Sequence, residues 1–363
     1  YSDCWVEDAR LVSLSARDAA IRGADILPRT KVLSARKQGD GWRIETEDTV
    51  TQARSHYRAK VLVNAAGPWV GHMIRQEIGL PSSETVRLVR GSHIVTKKLF
   101  DHDKCYFFQG TDGRIIFAIP YETDFTLIGT TDVEHEGDPK AAIATEEEQD
   151  YLRAFASEYF EKPVEKDDIV WTYSGVRPLY DDGATSATAA TRDYVLSFSD
   201  EAAPLLNVFG GKITTHRKLA EEAVAKLAKA FPHVGDAWTA GVALPGGDFD
   251  VAAFDALVET LAKQHSYLAA AQARRLVRAY GTDAALMLAE AKGSDDLGVD
   301  FGAGLSEIEV RWLMAHEFAR RAEDIVWRRS KLGLRMSEDQ IAALDHWMVE
   351  TGSRDQAVSA AAE

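Results

Sequence analysis

The order of helical and extended patterns constrains the fold of this chain more than any other feature. A strand followed by a helix is predicted at residues 61–74, a block of short strands covers 86–133, and a second strand-to-helix segment follows at 205–227. From 251 to 350 apolar residues recur with helical spacing. Strand–helix elements on both sides of an antiparallel block indicate one discontinuous domain around an inserted sheet, followed by a helical domain.

This order predicts an α+β or α/β fold with an all-α C-terminal domain. Residues 1–80 and 171–240 are assigned to the discontinuous domain and 81–170 to the inserted antiparallel-sheet domain. The helical domain is assigned to 241–350, and 351–363 is predicted to be a flexible tail.

Local signals predict three further elements. Asp40-Gly41 separates two alternating runs, which is typical of a β-hairpin. Thr145 precedes a run of glutamates, which favours a helix start there. Residues 8–22 carry a helical pattern.

Composition excludes several classes of function. The formal net charge of −15 argues against nucleic-acid binding, which requires a basic surface. Cys4 and Cys105 provide no disulfide framework and no zinc-ligand spacing, so no metal site is predicted. No apolar run approaches the ~20 residues that a membrane-spanning helix needs.

The stretch from Leu205 to Leu227 runs a short apolar strand into Gly210-Gly211-Lys212 and then into a helix. Glycines permit a tight turn, and a helix start presents backbone N–H groups. Thr214 and Thr215 are N-cap candidates. The pattern suits binding of a phosphate, a carbonyl group or the pyrimidine edge of a flavin. An ordinary strand–helix turn with a surface lysine is the alternative.

A second turn of small residues follows the strand at 61–63. Ala65, Ala66 and Gly67 precede Pro68, and their small size allows a ligand or a crossing backbone to come close. The alternative is again an ordinary strand–helix turn.

Two arginines are candidates for binding an anion. Arg177 lies in TYSGVRPL and Arg192 in ATRDYVL, and a guanidinium group binds phosphate or carboxylate through two parallel hydrogen bonds. The alternative is that each arginine pairs with a nearby aspartate: Asp181 or Asp182 for Arg177, and Asp193 for Arg192.

Two histidines lie in motifs that could carry chemistry. His93, in RGSHIV, can accept a hydroxyl proton as a neutral imidazole, although a lone histidine in a strand is more often structural. His135 lies in the acidic segment GTTDVEHEGDP, whose spacing matches no standard set of metal ligands. This segment is interpreted as a structural turn.

A basic segment stands out in the C-terminal region of this acidic chain. Residues 316–335 carry five arginines and one lysine. A solvated helix face with pairs at i,i+4 is the favoured interpretation, and a contact with a membrane surface or partner is the alternative.

Together these motifs resemble the FAD-dependent, respiratory glycerol-3-phosphate dehydrogenases. The resemblance extends to about residue 350 and rests on NAAGPWV, RLVRGSHIV, DDIVWTYSGVRPL, TRDYVL, FGGKITTHRKLAE and HEFARRAEDIVWRRSKLG. The combination of SGVRPL, GGKITT and WRRSKLG is specific to this family, whereas none of the three motifs is specific by itself.

The resemblance implies oxidation of sn-glycerol 3-phosphate to dihydroxyacetone phosphate, with FAD reduced and electrons passed to a membrane quinone. It implies a glutathione-reductase-like FAD domain, a substrate domain with an antiparallel sheet, and a peripheral protein on the cytosolic face of the membrane; a homodimer stays open. The alternatives are a glycerol-3-phosphate oxidase that uses oxygen and a non-catalytic binding module.

The resemblance also implies roles for individual residues. Arg177 would hold the substrate at its phosphate with help from Arg192, and His93 would face the hydroxyl groups as the base. Lys212 would stabilise negative charge on the reduced flavin or orient the substrate oxygen, with Thr215 beside it. The implied FAD contacts are Val32, Ala65, Ala66, Gly67, Trp69, Gly210, Gly211, Lys212, Ile213 and Thr214.

One family feature is missing from the sequence. The FAD pyrophosphate in this family binds a GxGxxG turn, and neither Gly39-Asp40-Gly41 nor Gly302-Ala303-Gly304 supplies the third glycine. The sequence is therefore expected to correspond to the C-terminal two-thirds of the enzyme and to bind FAD weakly by itself.

Overall fold

The computed structural model describes residues 6–82, 84–110, 113–181, 193–200, 203–228, 230–231 and 235–362, with side chains to residue 352. Arg192, one of the predicted substrate residues, lies outside these ranges. No helix in the described ranges is long and apolar enough to cross a membrane.

The described residues form strands and α-helices in the predicted order. The strands are β1 (Thr30–Gln38), β2 (Gly41–Asp48), β3 (Arg54–Ala59), β4 (Leu62–Asn64), β5 (Val86–Lys97), β6 (Tyr106–Gln109), β7 (Ile115–Tyr121), β8 (Phe125–Gly129), β9 (Val133–Glu134), β10 (Ile169–Tyr180), β11 (Val195–Ser199) and β12 (Leu205–Phe209). The α-helices are α1 (Asp8–Ile21), α2 (Val70–His72), α3 (Glu146–Ser157), α4 (His216–Leu227), α5 (Phe254–Gln264), α6 (Ala270–Tyr280), α7 (Asp283–Met287), α8 (Glu307–His316) and α9 (Glu338–Ala362).

The chain divides into two compact units. Residues 29–237 form the first, here called the sheet unit, and 238–363 together with 1–28 form the second, the helical unit. The grouping of 1–28 with the helical unit differs from the predicted scheme, which placed 1–80 in one FAD domain. The predicted domain boundaries themselves stay a prediction.

Helix α1 joins the helical unit through buried charge pairs. Arg17, which is 8% exposed, donates to Asp283 Oδ2 at 2.6 Å. Arg10 pairs with the fully buried Glu317 and donates to the carbonyl oxygen of Ala279 at 2.7 Å. Because removing one partner of a buried pair leaves an uncompensated charge, these contacts hold α1 against the C-terminal helices.

The basic segment 316–335 is largely engaged within the helical unit. Arg321 makes two hydrogen bonds to Asp345, at 2.7 and 2.5 Å, and Arg329 donates to the carbonyl oxygen of Glu317 at 2.6 Å. Lys331 donates to the carbonyl oxygen of Trp327. At these positions the predicted i,i+4 pairing is therefore replaced by a pair with Asp345 and by bonds to backbone carbonyls.

The largest sheet of the sheet unit has the order β10-β5-β8-β7-β6, and β9 pairs with β5; all the pairs are antiparallel. Side chains alternate between its two faces. One face packs on α3, where Ile94, Ile116 and Ile128 contact Leu152 and Phe155. The helix begins as predicted, because the side chain of Thr145 and that of Glu148 form a capping box. The opposite face of the sheet is left for other contacts.

A smaller sheet contains the strands that precede both glycine-containing turns. Its order is β11-β12-β4, and β12 runs parallel to β4. Asn64 Nδ2 donates to Asn207 Oδ1 at 3.0 Å and to the carbonyl oxygen of Val70 at 3.1 Å, and both asparagines are buried. Because the two strands are parallel and adjacent, the turns that follow them meet at one edge of the sheet.

The third sheet is an antiparallel β1-β2-β3 meander. Gln38 faces Gly41, so Gly39 and Asp40 form the two-residue loop of the predicted hairpin. Gly39 has a positive φ of 64°, which glycine adopts at little cost in a two-residue hairpin loop. The hairpin prediction is confirmed.

Candidate functional site

The face of the large sheet opposite to α3 brings His93 and Arg177 together. On β5 and β10, His93 faces Tyr173, Gly91 faces Gly175, and Val89 faces Arg177. Since side chains alternate along a strand, these residues lie on the same face, opposite to α3. Nothing lies within 4 Å of the position that a methyl group would take at Gly175, so there is space above the middle of this face.

Arg177 is held by the turn that follows β8. Its Nη1 donates to Asp132 Oδ1 at 2.5 Å and to the carbonyl oxygen of Thr131 at 3.5 Å, and its Nη2 donates to Thr130 Oγ1 at 3.1 Å. A guanidinium group has five N–H donors. The Nε donor and one Nη2 donor therefore have no acceptor among the described residues, and they suit a bidentate anion.

His93 lies between an aromatic ring and a glycine. Its imidazole stacks on Tyr173, with ring centroids 4.8 Å apart and planes 8° apart. On the other side, a methyl group at Gly129 would lie 2.7 Å from His93 Cγ and Nε2 and would overlap the ring. The strand therefore admits the imidazole only because position 129 lacks a side chain. His93 Nδ1 is buried without a hydrogen-bond partner in the described part of the chain.

The electrostatics of this face keep His93 neutral. Burial lowers the pKa of His93, and the positive charge of Arg177 lowers it further, to about 4. At neutral pH the imidazole is thus uncharged and can accept a proton.

We predict that Arg177→Met raises the pKa of His93. The substitution removes the nearby positive charge but keeps an apolar stem of similar length, so protonation of the imidazole becomes less unfavourable. Titration of the imidazole C–H resonances by NMR, assigned with His93→Asn, measures this directly. An unchanged or lower pKa would contradict the proximity of the two groups.

The Gly210-Gly211-Lys212 turn lies beside the end of β10 that carries Arg177. A methyl group at Gly210 would lie 3.0 Å from the carbonyl oxygen of Asp193 and 3.5 Å from that of Pro178. Gly210 and Gly211 have φ values of 70° and 97°, which favour glycine. Lys212 is exposed, and its ammonium group has no partner within the described ranges.

Three backbone amides of this turn precede the first hydrogen bond of the helical segment. The first bond of the helical segment runs from Thr215 N to the carbonyl oxygen of Lys212. The amides of Lys212, Ile213 and Thr214 precede it and have no acceptor among the described residues. Thr215 is the N-cap residue of α4, as predicted, but its side chain makes no capping bond: a 3₁₀ turn at Ile213–Thr215 precedes α4, and Thr215 Oγ1 donates to the carbonyl oxygen of Lys212.

The turn at Ala65–Gly67 is held open by Asn64. Asn64 Oδ1 accepts from the amide of Ala66 at 3.4 Å, and Trp69 N donates to the carbonyl oxygen of Ala66 at 3.1 Å. Gly67 has a φ of 54°, and no atom lies within 4 Å of the position of a methyl group there. Trp69 is 36% exposed. A flat ligand can approach this backbone closely.

The structure brings most of the predicted residues into one region of the sheet unit. The two turns follow adjacent parallel strands, and Gly210 contacts the end of β10. Val32 lies on β1 and packs against a cluster that joins the β1-β2-β3 meander to Leu205 of β12. Its predicted role near the adenine stays a prediction.

Several residues that shape the site were not predicted. The sequence pattern assigns Asp132 to a structural turn, yet it pairs with Arg177. Of the two local partners expected for Arg177, Asp181 accepts from Thr85 Oγ1 at 3.3 Å, and Asp182 lies outside the described residues. Gly129 and Tyr173 read as ordinary strand residues, because their importance depends on which strands are neighbours. His135 contacts the carbonyl oxygen of Asp138 at 3.2 Å, and the described ranges contain no cluster of three or more metal-ligating side chains.

Two family models match the chain. The model of the FAD-dependent oxidoreductases matches residues 1–217, and that of the C-terminal domain of alpha-glycerophosphate oxidase matches 237–351. The chain therefore belongs to the FAD-dependent oxidoreductase family.

Relatives with known names narrow this assignment. The chain is 45% identical to the aerobic glycerol-3-phosphate dehydrogenase of Escherichia coli, over 96% of this chain and 70% of the relative. It is 44% identical to the D-erythritol 1-phosphate dehydrogenase of Brucella abortus, over 96% of this chain and 69% of the relative. The structure of the glycerol-3-phosphate dehydrogenase from Bacillus halodurans complexed with FAD matches 95% of this chain and 69% of its own, with a TM-score of 0.79 and 27% identity.

These matches confirm the resemblance to the FAD-dependent glycerol-3-phosphate dehydrogenases, the predicted fold class and FAD as the cofactor. The residues present fit a flavin. At one sheet edge lie an exposed lysine, an open glycine turn, and amides before α4 that have no acceptor among the described residues; this arrangement suits a planar ring with carbonyl groups on one side.

Proposed function

We propose that this chain oxidises the secondary hydroxyl group of sn-glycerol 3-phosphate to the ketone of dihydroxyacetone phosphate. The observation that carries the proposal is the pairing, on one face of the sheet, of a neutral histidine with an arginine that has two N–H donors without an acceptor among the described residues. A phosphorylated alcohol has a phosphate that the arginine can bind and a hydroxyl proton that the histidine can accept.

Substrate binding is assigned to Arg177 and Lys212. The free donors of Arg177 hold two phosphate oxygens, because guanidinium geometry matches phosphate. With a net charge of −15 the protein as a whole repels a dianionic substrate, so local cations must offset this repulsion. Arg192 and Thr215 are proposed to assist.

Proton transfer is assigned to His93. The imidazole accepts the proton of the C2 hydroxyl group as the C2 hydrogen leaves with its electron pair. A pKa of about 4 keeps the group in its accepting form throughout the physiological range. Stacking on Tyr173 and the absence of a side chain at Gly129 fix the ring orientation.

Bound FAD supplies the acceptor for the two electrons and the C2 hydrogen. The amides of Lys212, Ile213 and Thr214 would hold its pyrimidine carbonyl groups, and the ammonium group of Lys212 would balance negative charge there. The turn at Ala65–Gly67, with Trp69, would lie along the cofactor, as would Gly210 and Gly211. Val32 would contact the adenine.

Quinone is the proposed final electron acceptor, at the cytosolic face of a membrane. The support for an acceptor other than oxygen is that similar relatives are named as dehydrogenases. The engaged charges of the segment 316–335 give no further support for membrane contact. An oxidase would release hydrogen peroxide, so a peroxide assay under air, beside reduction of a soluble quinone, separates the two. Sedimentation tests whether the protein forms a homodimer.

The proposed function predicts that the FAD-loaded protein reduces a dye when sn-glycerol 3-phosphate is added, and prefers it to D-erythritol 1-phosphate. Both compounds are phosphorylated polyols, and a relative named for each is similarly close. Steady-state kinetics with both compounds, and with unphosphorylated glycerol as the control, decides the substrate. A preference for the longer polyol would overturn the substrate assignment, and flavin binding without dye reduction would favour a binding module.

A further inference from the structure

We propose that Asp132 and Glu148 are positioning residues for Arg177. Asp132 holds the guanidinium group directly, and Glu148 holds the turn that carries Asp132 from the opposite face of the sheet. The inference rests on the function proposed above, since Arg177 is assigned there to the substrate phosphate.

The direct contact fixes the guanidinium group at one edge. Asp132 Oδ1 and Thr130 Oγ1 each accept a hydrogen bond from Arg177, at 2.5 and 3.1 Å. Beneath them, a methyl group at Gly91 would lie 2.5 Å from Arg177 Nη2 and 2.7 Å from Thr130 Oγ1. The guanidinium group therefore lies across the backbone of β5 at its glycine, and its remaining donors have a defined direction.

The turn itself is anchored through Thr131, which is 1% exposed. Its hydroxyl oxygen accepts from the amide of Ser92 at 2.9 Å and donates to Glu148 Oε1 at 2.7 Å. Its own amide donates to the carbonyl oxygen of Ser92 at 3.3 Å. Thr131 thus ties the turn between Thr130 and Asp132 to β5 and to α3.

Glu148 accepts hydrogen bonds from several elements on the α3 side of the sheet. Ser92 Oγ donates to Oε1 at 2.9 Å, Arg90 Nη2 lies 3.0 Å from Oε2, and the amide of Thr145 donates to Oε2 at 3.1 Å. Ser174 Oγ on β10 lies 2.7 Å from Ser92 Oγ, which extends the network to the strand of Arg177. Burial raises the pKa of Glu148, but the hydrogen bonds outweigh it and the net pKa is lowered, so the carboxylate stays ionised.

This arrangement has a functional consequence. An arginine on a mobile side chain loses rotamer freedom when it binds phosphate, whereas one already held by Asp132 loses less. Asp132 also places a negative charge near the incoming phosphate. The two effects have opposite signs, which makes the proposal testable: positioning predicts weaker substrate binding when Asp132 is neutralised, and repulsion predicts tighter binding.

We predict that Asp132→Asn raises KM for sn-glycerol 3-phosphate about tenfold and changes kcat less than about threefold. The inhibition constant for inorganic phosphate should rise with KM. In an Arg177→Met background the same substitution should have no further effect, because the two residues act as a unit. A lower KM, or equal effects in both backgrounds, would overturn the role of Asp132.

Glu148→Gln tests the indirect step, with Glu147→Gln as its matched control, because Glu147 is the neighbouring exposed residue of α3. We expect about a fivefold rise in KM for the first variant and none for the second. If Glu148→Gln does not fold, Thr131→Val and Thr131→Ser test the same anchoring step. Thr131→Val removes the hydroxyl group and should raise KM, whereas Thr131→Ser keeps it and should leave KM unchanged. Equal KM values in this pair would refute the anchoring role. Absence of activity in the wild-type protein would instead refute the proposed function.

Discussion

Replacing Arg177 by methionine is expected to lower kcat/KM for sn-glycerol 3-phosphate by about a thousandfold. Arg177 keeps two N–H donors free for the phosphate. A hydrogen bond to a charged group contributes about 1.5–3 kcal/mol, so the loss of two amounts to about 4 kcal/mol, and each 1.4 kcal/mol is tenfold. Steady-state kinetics of the FAD-loaded protein measures the change.

The control for this variant is Arg54→Met. Arg54 lies on β3, its side chain is 62% exposed, and it pairs with Glu45 at 3.2 Å. Surface pairs of this kind contribute little, so activity should stay within about twofold of wild type. Arg177→Lys should recover only part of the loss, because an ammonium group cannot make the bidentate contact. Equal kcat/KM values for Arg177→Met and the wild type would remove Arg177 from the proposed substrate site.

The two central residues of this site were predicted from sequence because each carries its own chemistry. An arginine between Gly175 and Pro178 and a histidine within a strand can be singled out from their local sequence, although His93 lies inside β5 and not at the strand start that the sequence suggests. The supporting residues were not predicted, because their importance depends on pairing over long sequence distances. Asp132 lies 45 residues before Arg177, whereas local proximity favoured Asp181.

The contacts of Glu148 show the same limit of prediction from local sequence. Its bond to the amide of Thr145 follows from the capping-box pattern and could be predicted. Its bonds to Ser92 and Thr131 depend on β5 and β8 being neighbours beneath α3, which no local pattern encodes. Similarly, the helical character of α1 was predicted, but its buried pairs with Asp283 and Glu317 were not, because these partners lie more than 200 residues away.

His93→Asn is expected to lower kcat about a hundredfold or more while FAD binding, followed by the visible flavin spectrum, stays unchanged. A positioned general base contributes about 10²–10⁴ in rate, and asparagine keeps the polarity but cannot accept the proton. His56→Asn is the matched control, because His56 is an exposed histidine on β3 of the same unit.

The pH dependence provides an independent check of this role. Burial and the charge of Arg177 lower the pKa of His93 to about 4. The neutral imidazole is the active form, so protonation removes the base only as the pH falls towards 4. In the wild type, kcat/KM, corrected for ionisation of the substrate phosphate, should therefore hold between about pH 6 and 8 and show no acid-side loss at the ordinary histidine pKa of about 6.5. An acid-side loss of kcat/KM centred near 6.5 would show that this histidine is not buried as the structure has it, or is not the base.

Substitutions at two glycines test whether catalysis depends on the position of the His93 imidazole. Gly129→Ala places a methyl group where the His93 ring lies, whereas Gly175→Ala adds one to open space on the same face. If His93 must lie over position 129 to reach the hydroxyl group, the first variant should lose at least about tenfold in kcat, and the second should alter kcat only through direct contact with the substrate. A fully active Gly129→Ala protein, with thermal stability equal to that of the wild type, would show that the imidazole acts from another position. The neutral histidine would then be a packing residue, and the proton would have to leave by another group on this face.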